Sequence, residues 1–192
     1  MKILSFGSMN VDYVYRVPEF VKPGETKTVS SLQVNAGGKG LNQAIALSKA
    51  GLDVYQAGII GDEGVFLRNM LQKYNVDTSM IQKTYDKNGH AIIQVDNSGE
   101  NCILVYPGTN HMLTEEMIDE VLSHFDKDDV VITQNETNLV SYLFEKAYNK
   151  GMRIAFNPSP FNKEIMNYSL DKVTWLFVNE TEGACMTGVS EP

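Results

Sequence analysis

The chain has 192 residues, of which 43% are hydrophobic, and it carries a formal net charge of -8. This length and hydrophobic content are sufficient for a single domain with a substantial buried core. The negative charge argues against nucleic acid and against an anionic membrane as partners, because both require a face rich in Lys and Arg. The two cysteines have no metal-ligand spacing and no apolar run approaches membrane-spanning length, so we expect a protein of the reducing cytoplasm.

Hydrophobic periodicity predicts strands and helices that mostly alternate along the chain. In the first half, the predicted elements are strands over 3–6, 13–17 and 26–34, a helix from Leu41 to a stop at Ala50-Gly51, a strand over 54–60 and a helix closed by Asn75. In the second half, they are strands over 90–96 and 101–106, a helix capped by Thr114, a strand over 130–132, a helix over 139–147, strands over 154–156 and 175–178, and a short helix toward Met186. This order indicates an α/β protein with a mainly parallel sheet.

Two of these strands follow each other without an intervening helix, joined by the polar stretch 97–100. Together with the ribbon predicted over 13–34, they indicate a small separate sheet of about four strands carried on the α/β body. A small sheet alone is marginally stable, so its apolar faces need cover from a ligand, the core or another subunit. We expect this sheet to be a lid or an interface.

Polar side chains recur at the carboxyl ends of the predicted strands, where the loops of a parallel sheet converge. They are Asn10, Asp12, Asn135, Glu136, Asn157, Asn179 and Glu182. The stretch from Asn35 to Asn42 adds three glycines and Lys39 directly before a helix, which allows close approach of backbone to a ligand. Together these groups predict a cleft that hydrogen-bonds a polyhydroxylated molecule, although each has a local alternative, such as a helix cap formed by Asn179 and Glu182.

The glycine stretch does not match the familiar nucleotide-binding motifs. A Walker A loop would need Gly at Gln33 and Ser or Thr at Gly40, and a Rossmann fingerprint would need a third glycine at Gln43. The three histidines lack metal-ligand spacing, and Ser8 lacks a nucleophile-elbow sequence. Zinc catalysis and hydrolytic triads are therefore unsupported.

Six motifs occur in the order seen in the ribokinase-like (PfkB) carbohydrate kinases, and the chain resembles this family over nearly its whole length. The motifs are Gly7-Ser8-Met9-Asn10-Val11-Asp12, Pro23-Gly24-Glu25-Thr26, Gly37-Gly38-Lys39-Gly40-x-Asn42-Gln43-Ala44, Gly61-Asp62, Asn157-Pro158-x-Pro160 and Asn179-Glu180-Thr181-Glu182. The resemblance implies a three-layer, Rossmann-like α/β/α sandwich with a β lid drawn from about 12–34 and 88–106. It also implies a homodimer paired through the lid sheet.

The resemblance further implies transfer of the ATP γ-phosphoryl group to a sugar hydroxymethyl group, with Mg²⁺ and, as a further option, a monovalent cation. Ribose is the expected sugar, and deoxyribose or a nucleoside stays open because small pocket changes shift such preferences only modestly. The residues matched to sugar binding are Asn10, Asp12, Gly38, Lys39, Asn42 and Glu136. Asn179 is matched to the nucleotide phosphates and Glu182 to magnesium.

The family's Gly-Ala-Gly-Asp motif, which provides an anion hole and the aspartate that deprotonates the sugar, does not occur in these 192 residues. We therefore assign no catalytic base and no adenine pocket. Residues 1–192 are expected to form an incomplete domain, the sugar-binding and lid portion of a kinase, which is inactive alone. Two other classes stay open, namely a noncatalytic sugar-binding or regulatory module and a dimerisation element built on the lid sheet.

Overall fold

The computed structural model describes residues 1–29 and 31–189. The strands are β1 (Ile3–Phe6), β2 (Asn10–Arg16), β3 (Ser31–Gly37), β4 (Val54–Ile60), β5 (Asp77–Lys83), β6 (His90–Val95), β7 (Asn101–Tyr106), β8 (Val130–Gln134), β9 (Arg153–Asn157) and β10 (Trp175–Leu176). The α-helices are α1 (Lys39–Lys49), α2 (Val65–Lys73), α3 (Glu115–Ser123), α4 (Val140–Asn149) and α5 (Glu180–Thr187).

The main sheet is parallel and has six strands in the order β10, β9, β8, β1, β4, β5. All four residues of the central strand β1 are buried, as expected of a strand covered on both faces. Leu4 and Phe6 pack in the cluster formed with α3 and α4, whereas Ile3 packs on the other face with residues of α1 and α2. The predicted α/β/α layering is confirmed.

A second, small sheet has four strands in the order β3, β2, β6, β7. β2 pairs antiparallel with β3 and parallel with β6, and β7 closes a hairpin with β6. The register places Asn10 beside Gly37 and His90 beside Tyr106, so all four strands enter the body from the same end of this sheet. The predicted separate four-stranded sheet is confirmed, and every residue of β7 is exposed.

Several strand predictions differ from the structure. The strand predicted over 13–17 comprises Asn10–Arg16, so Asn10 and Asp12 lie within a strand of the small sheet. The strand predicted over 26–34 begins only at Ser31 and continues to Gly37; residues 26–29 lie outside strands, and residue 30 is outside the described part. The strand predicted over 175–178 comprises only Trp175–Leu176. β5 was not predicted, because this edge strand is mostly polar and lacks the apolar run of the central strands.

Helix boundaries follow from local capping chemistry. Thr114 accepts a hydrogen bond from the Met117 backbone N–H at 3.2 Å, which confirms it as the N-cap of α3. Asn75 adopts a left-handed conformation with φ of 58° after α2, as predicted for a residue that closes a helix. α1 begins at Lys39, two residues before the predicted start. None of the described helices is long and apolar enough to cross a membrane.

One face of the main sheet is open at the end formed by β8, β9 and β10. It forms an apolar trough of about 400 Å³. The trough is lined by Met1, Ile3, Leu47, Val130, Ile132, Arg153, Ala155, Trp175 and Phe177. Trp175 is 41% exposed and Phe177 is 54% exposed, although both are large apolar side chains. On the opposite face, α3 and α4 pack on β8 and β9 through residues such as Val131 and Ile154.

Candidate functional site

The N-terminus of α1 lies directly against the loop that follows β1. The Leu41 backbone N–H donates to the Ser8 carbonyl oxygen at 3.0 Å. A side chain at Gly40 would overlap the backbone of Gly7 and Ser8, so glycine is required for this close approach. Gly38 precedes the helix with a φ of 94°, a conformation that also favours glycine. These glycines therefore bring the first helical residue, Lys39, to the end of the main sheet.

Glu136, which follows β8, binds this helix terminus through both carboxylate oxygens. The Lys39 ammonium Nζ lies 2.8 Å from Oε1, and the Lys39 backbone N–H donates to Oε2 at 3.1 Å. The Ser8 hydroxyl also donates to Oε2 and accepts a bond from the Gly40 N–H at 3.3 Å. A helix N-terminus favours such an anion because its N–H groups lack intrahelical partners. The Glu136 side chain is only 11% exposed, whereas that of Lys39 is 37% exposed.

Asp12 brings a second carboxylate to this group. Asp12 lies two residues from Asn10 on the same face of β2. Its side chain covers Gly37, and a Cβ atom at Gly37 would overlap the Asp12 carboxylate. The pKa of Asp12 is raised to about 6, mainly by burial and then by the negative charge of Glu136, while the positive charge of Lys39 opposes the shift. The site therefore holds one cation and two carboxylates. The raised pKa means that Asp12 is protonated more readily than an exposed aspartate.

Asn10 is 4% exposed and is held by a second buried asparagine. The Asn110 amide nitrogen Nδ2 donates to Asn10 Oδ1 at 2.7 Å, and Asn110 Oδ1 accepts from the Met9 backbone N–H at 3.0 Å. Asn88, which is fully buried, supports the same segment by donating to the carbonyl oxygens of Met9 and Gly89. Asn42 lies one turn after Lys39, where it is exposed at the same end of α1.

Asn179 and Glu182 form a capping box at the start of α5. Asn179 Oδ1 accepts from the Glu182 N–H at 2.8 Å, and Glu182 Oε2 accepts from the Asn179 N–H at 3.1 Å. They follow β10, the edge strand, three positions from β1 in the sheet. No hydrogen bond or ion pair of the described residues joins them to the group around Lys39. Across residues 1–29 and 31–189, no three His, Cys, Asp or Glu side chains come close enough to hold a metal ion.

Comparison with known proteins assigns the chain to a family. Residues 1–192 match the family model described as pfkB family carbohydrate kinase. The protein belongs to this family. A ribokinase of Haemophilus influenzae is 34% identical over 188 residues, covering 95% of this chain and 61% of the relative. A deoxyribokinase of Salmonella typhi is 31% identical over 196 residues, covering 98% and 63% of the two chains.

Solved structures agree with this PfkB assignment. The crystal structure of a Cryptococcus neoformans ribokinase in complex with ADP is 33% identical, with a TM-score of 0.81. The match covers 94% of the present chain and 57% of that one. The chain thus spans about three fifths of the length of the relatives that it matches.

In this PfkB-family protein, the predicted sugar-site residues gather at one end of α1, while Asn179 and Glu182 lie elsewhere. The group consists of Asn10, Asp12, Gly38, Lys39, Asn42 and Glu136. Sequence reasoning missed Ser8 and Asn110, which contact Glu136 and Asn10, and it missed Asn88, which supports the backbone of the Asn10 segment without contacting these side chains. The only sequence signal for the asparagines is their position beside glycine and proline turns, which predicts a loop and does not reveal their partners.

Proposed function

We propose that this protein is the sugar-binding portion of an ATP-dependent carbohydrate kinase, with ribose as the sugar. The observation that carries the proposal is the convergence of Lys39, Glu136 and Asp12 at the N-terminus of α1, beside the buried amide of Asn10. Relatives named ribokinase and deoxyribokinase support a pentose as acceptor, and the ADP complex of one relative supports a nucleotide as donor.

The chemistry of the group suits a molecule with several hydroxyls. A sugar hydroxyl can both donate and accept, so it can donate a hydrogen bond to the Asp12 carboxylate while its oxygen accepts one from Lys39 or an amide N–H. Charge-assisted bonds of this kind are stronger than neutral ones and fix orientation. Phosphoryl transfer depends mainly on positioning and on neutralising charge, so this group would contribute by orienting the acceptor.

The donor side of the reaction would involve Asn179 and Glu182, and the capping box limits what Glu182 can offer. One carboxylate oxygen, Oε2, is bound to the Asn179 N–H, which leaves Oε1 for a ligand. This fits Mg²⁺ held mainly by water and nucleotide phosphates, an arrangement that Mg²⁺ often adopts. When bound, the ion would neutralise charge on the transferring phosphoryl group. We assign no residue to a monovalent cation.

The small sheet would act as a lid over the sugar and as a contact between two copies of the chain. Its outer strand β7 exposes Ile103 at 49%, Leu104 at 66% and Val105 at 57%, and β6 exposes Ile92 at 38%. Such apolar exposure on a thin sheet is expected at an interface. Ile103 and Leu104 lie on opposite faces of β7, so sedimentation should show a dimer that the double change Ile103→Glu, Leu104→Glu converts to a monomer. A monomeric wild-type chain would contradict this part of the proposal.

Isothermal titration of the 192-residue chain with ribose and with ATP tests the function. We expect weak ribose binding, almost no ATP binding and no ATP-dependent phosphorylation of ribose. Binding of neither ligand would favour a pure dimerisation element. Turnover by the purified chain would contradict the expectation that it is inactive alone.

A chimera separates a kinase portion from a noncatalytic sugar-binding module. The chain would be fused to the remaining C-terminal part of the Haemophilus influenzae ribokinase and assayed for phosphorylation of ribose. We expect activity that Lys39→Ala abolishes in an otherwise identical chimera. A folded chimera that binds ribose and ATP without turnover would favour the noncatalytic module.

A further inference from the structure

The pair formed by Asn10 and Asn110 fixes which end of the Asn10 amide faces the proposed sugar cleft. We infer that Asn110 is a positioning residue that holds the Asn10 carboxamide with its N–H₂ group toward the ligand. Nothing in the sequence motifs assigns a role to Asn110. The inference rests on the proposed function, because it concerns how the sugar site is set to donate a hydrogen bond.

The orientation follows from a backbone group whose role cannot be reversed. The Met9 N–H can only donate, so the Asn110 atom 3.0 Å away must be the oxygen Oδ1. The nitrogen Nδ2 of Asn110 is then the atom 2.7 Å from Asn10, and a nitrogen donor needs an oxygen acceptor there. Asn10 must therefore present Oδ1 to Asn110. Its own Nδ2 points away from this contact.

Burial makes the arrangement hard to reverse. Asn10 is 4% exposed and Asn110 is 3% exposed, so water cannot substitute for a lost bond between them. Turning either amide alone would place two N–H₂ groups, or two oxygens, face to face. Gly89 packs so closely against both side chains that a Cβ atom there would overlap Asn110 Nδ2 and lie 2.7 Å from Asn10 Oδ1. The pair therefore has little room to rearrange.

Asn10 Nδ2 is the atom left for a ligand. None of the hydrogen bonds among the described residues uses this nitrogen. It also differs from the unpartnered polar atoms that are fully buried, so it keeps some access from outside. Asp12 lies on the same face of β2, so a donor from Asn10 stands next to an acceptor from Asp12. A hydroxyl, or two neighbouring hydroxyls, satisfies both groups at once. Asn110 would thus help to select a hydroxylated ligand without touching it.

Asn110→Asp tests the inference with almost no change of shape. The carboxylate can still accept from the Met9 N–H, but it can no longer donate to Asn10. The Asn10 amide must then turn its nitrogen toward Asp and its oxygen toward the cleft. We expect ribose affinity, measured by titration calorimetry at pH 8, to fall about tenfold or more, as when one hydrogen bond to a charged or polar group is lost.

Asn88→Asp is the matched control, since Asn88 is equally buried and supports the same segment. Its side chain bonds only to backbone groups of Met9, Gly89 and Gly61, so the change should lower the melting temperature while ribose affinity stays within about twofold. An Asn110→Asp protein with lower melting temperature but wild-type ribose affinity would behave like this control and would overturn the inference.

A second variant covers the case in which Asn110→Asp does not fold. Asn10→Asp keeps the oxygen that accepts from Asn110 and replaces only the nitrogen on the cleft side by oxygen. We expect the same loss of ribose affinity. Unchanged affinity would show that an oxygen serves the ligand equally well, which contradicts an inward N–H₂ group.

Side-chain amide NMR of ¹⁵N-labelled protein gives a readout that needs no sugar. In the wild type, Asn110 amide protons should exchange slowly with solvent and those of Asn10 faster; in Asn110→Asp, the Asn10 protons should become protected. If ribose does not bind the wild type, the proposed function fails, while the exchange pattern still decides the orientation. Asn10 amide protons that are already protected in the wild type and unchanged in the variant would overturn it.

Discussion

Replacing Asp12 by Asn should make the protein more stable at neutral pH and weaker as a sugar binder. The pKa of this carboxyl is raised from 3.8 to about 6, first by burial and then by Glu136. The folded state therefore holds a proton more tightly than the unfolded chain, so this contribution to stability is fully present below about pH 4 and is lost as the pH rises through about 6. Each pKa unit corresponds to about 1.4 kcal/mol, and solvent screening of this half-buried group reduces the total to about 1–2 kcal/mol.

Urea unfolding of both proteins at pH 4.5 and pH 7.5 measures the effect. The gain in unfolding free energy from Asp12→Asn should be larger at pH 7.5 than at pH 4.5 by about 1–2 kcal/mol. Asp53→Asn, at an exposed loop position outside the site, is the control and should show no such difference. A gain that is equal at the two pH values, or larger at pH 4.5, would refute the electrostatic reasoning.

Three further changes test the site and its support. Gly40→Ala forces a methyl group into the backbone of Gly7 and should cost about 1–3 kcal/mol in thermal unfolding. The control is Gly183→Ala within α5, where a Cβ atom would make only an ordinary contact of 3.7 Å with Val178; it should cost nothing and gain up to about 1 kcal/mol. Tolerance of both alanines would contradict the tight contact. Glu136→Gln removes the ion pair with Lys39 and should weaken ribose binding about tenfold by calorimetry; unaltered affinity would remove Glu136 from the site. Thr114→Ala removes the cap of α3 and should cost about 1 kcal/mol without affecting ribose binding, so a change in affinity would be unexpected.

The architecture was predictable where burial imposes a strong pattern on the sequence. β1 and β4 are buried on both faces, so their apolar runs identified them with the correct bounds. β5 lies at the sheet edge and needs few apolar residues, so its sequence carries little signal. Residues 26–29 have a strand-like composition but no neighbouring strand to pair with. A segment with strand-like residues forms a strand only where another strand lies beside it, and the tertiary fold decides where that neighbouring strand lies.

The same distinction holds within the candidate site. The meeting of Lys39 and Glu136 follows from a general rule, that loops at the carboxyl edge of a parallel sheet converge. The contact between Asn10 and Asn110 joins residues 100 positions apart through a buried turn, which no periodicity or spacing marks. For Asn179 and Glu182, the sequence allowed both a helix cap and a ligand site, and the structure contains the cap. Because a capping box leaves one carboxylate oxygen unused, it does not decide between the two roles.

All four strands of the small sheet are attached to the body at the same end, so a small rotation there moves the opposite end much further. Its strands join the body in the row of Asn10, Gly37, His90 and Tyr106, and their far ends lie near Arg16 and Val95. Six residues of strand span about 20 Å, so a rotation of about 10° at the root displaces the tip by about 3–4 Å. Asn10 and Asp12 stand close to the pivot and hardly move in such a rotation. In the proposed role as a lid, the rim of the sheet would move across the cleft while Asn10 and Asp12 at its base would keep their positions.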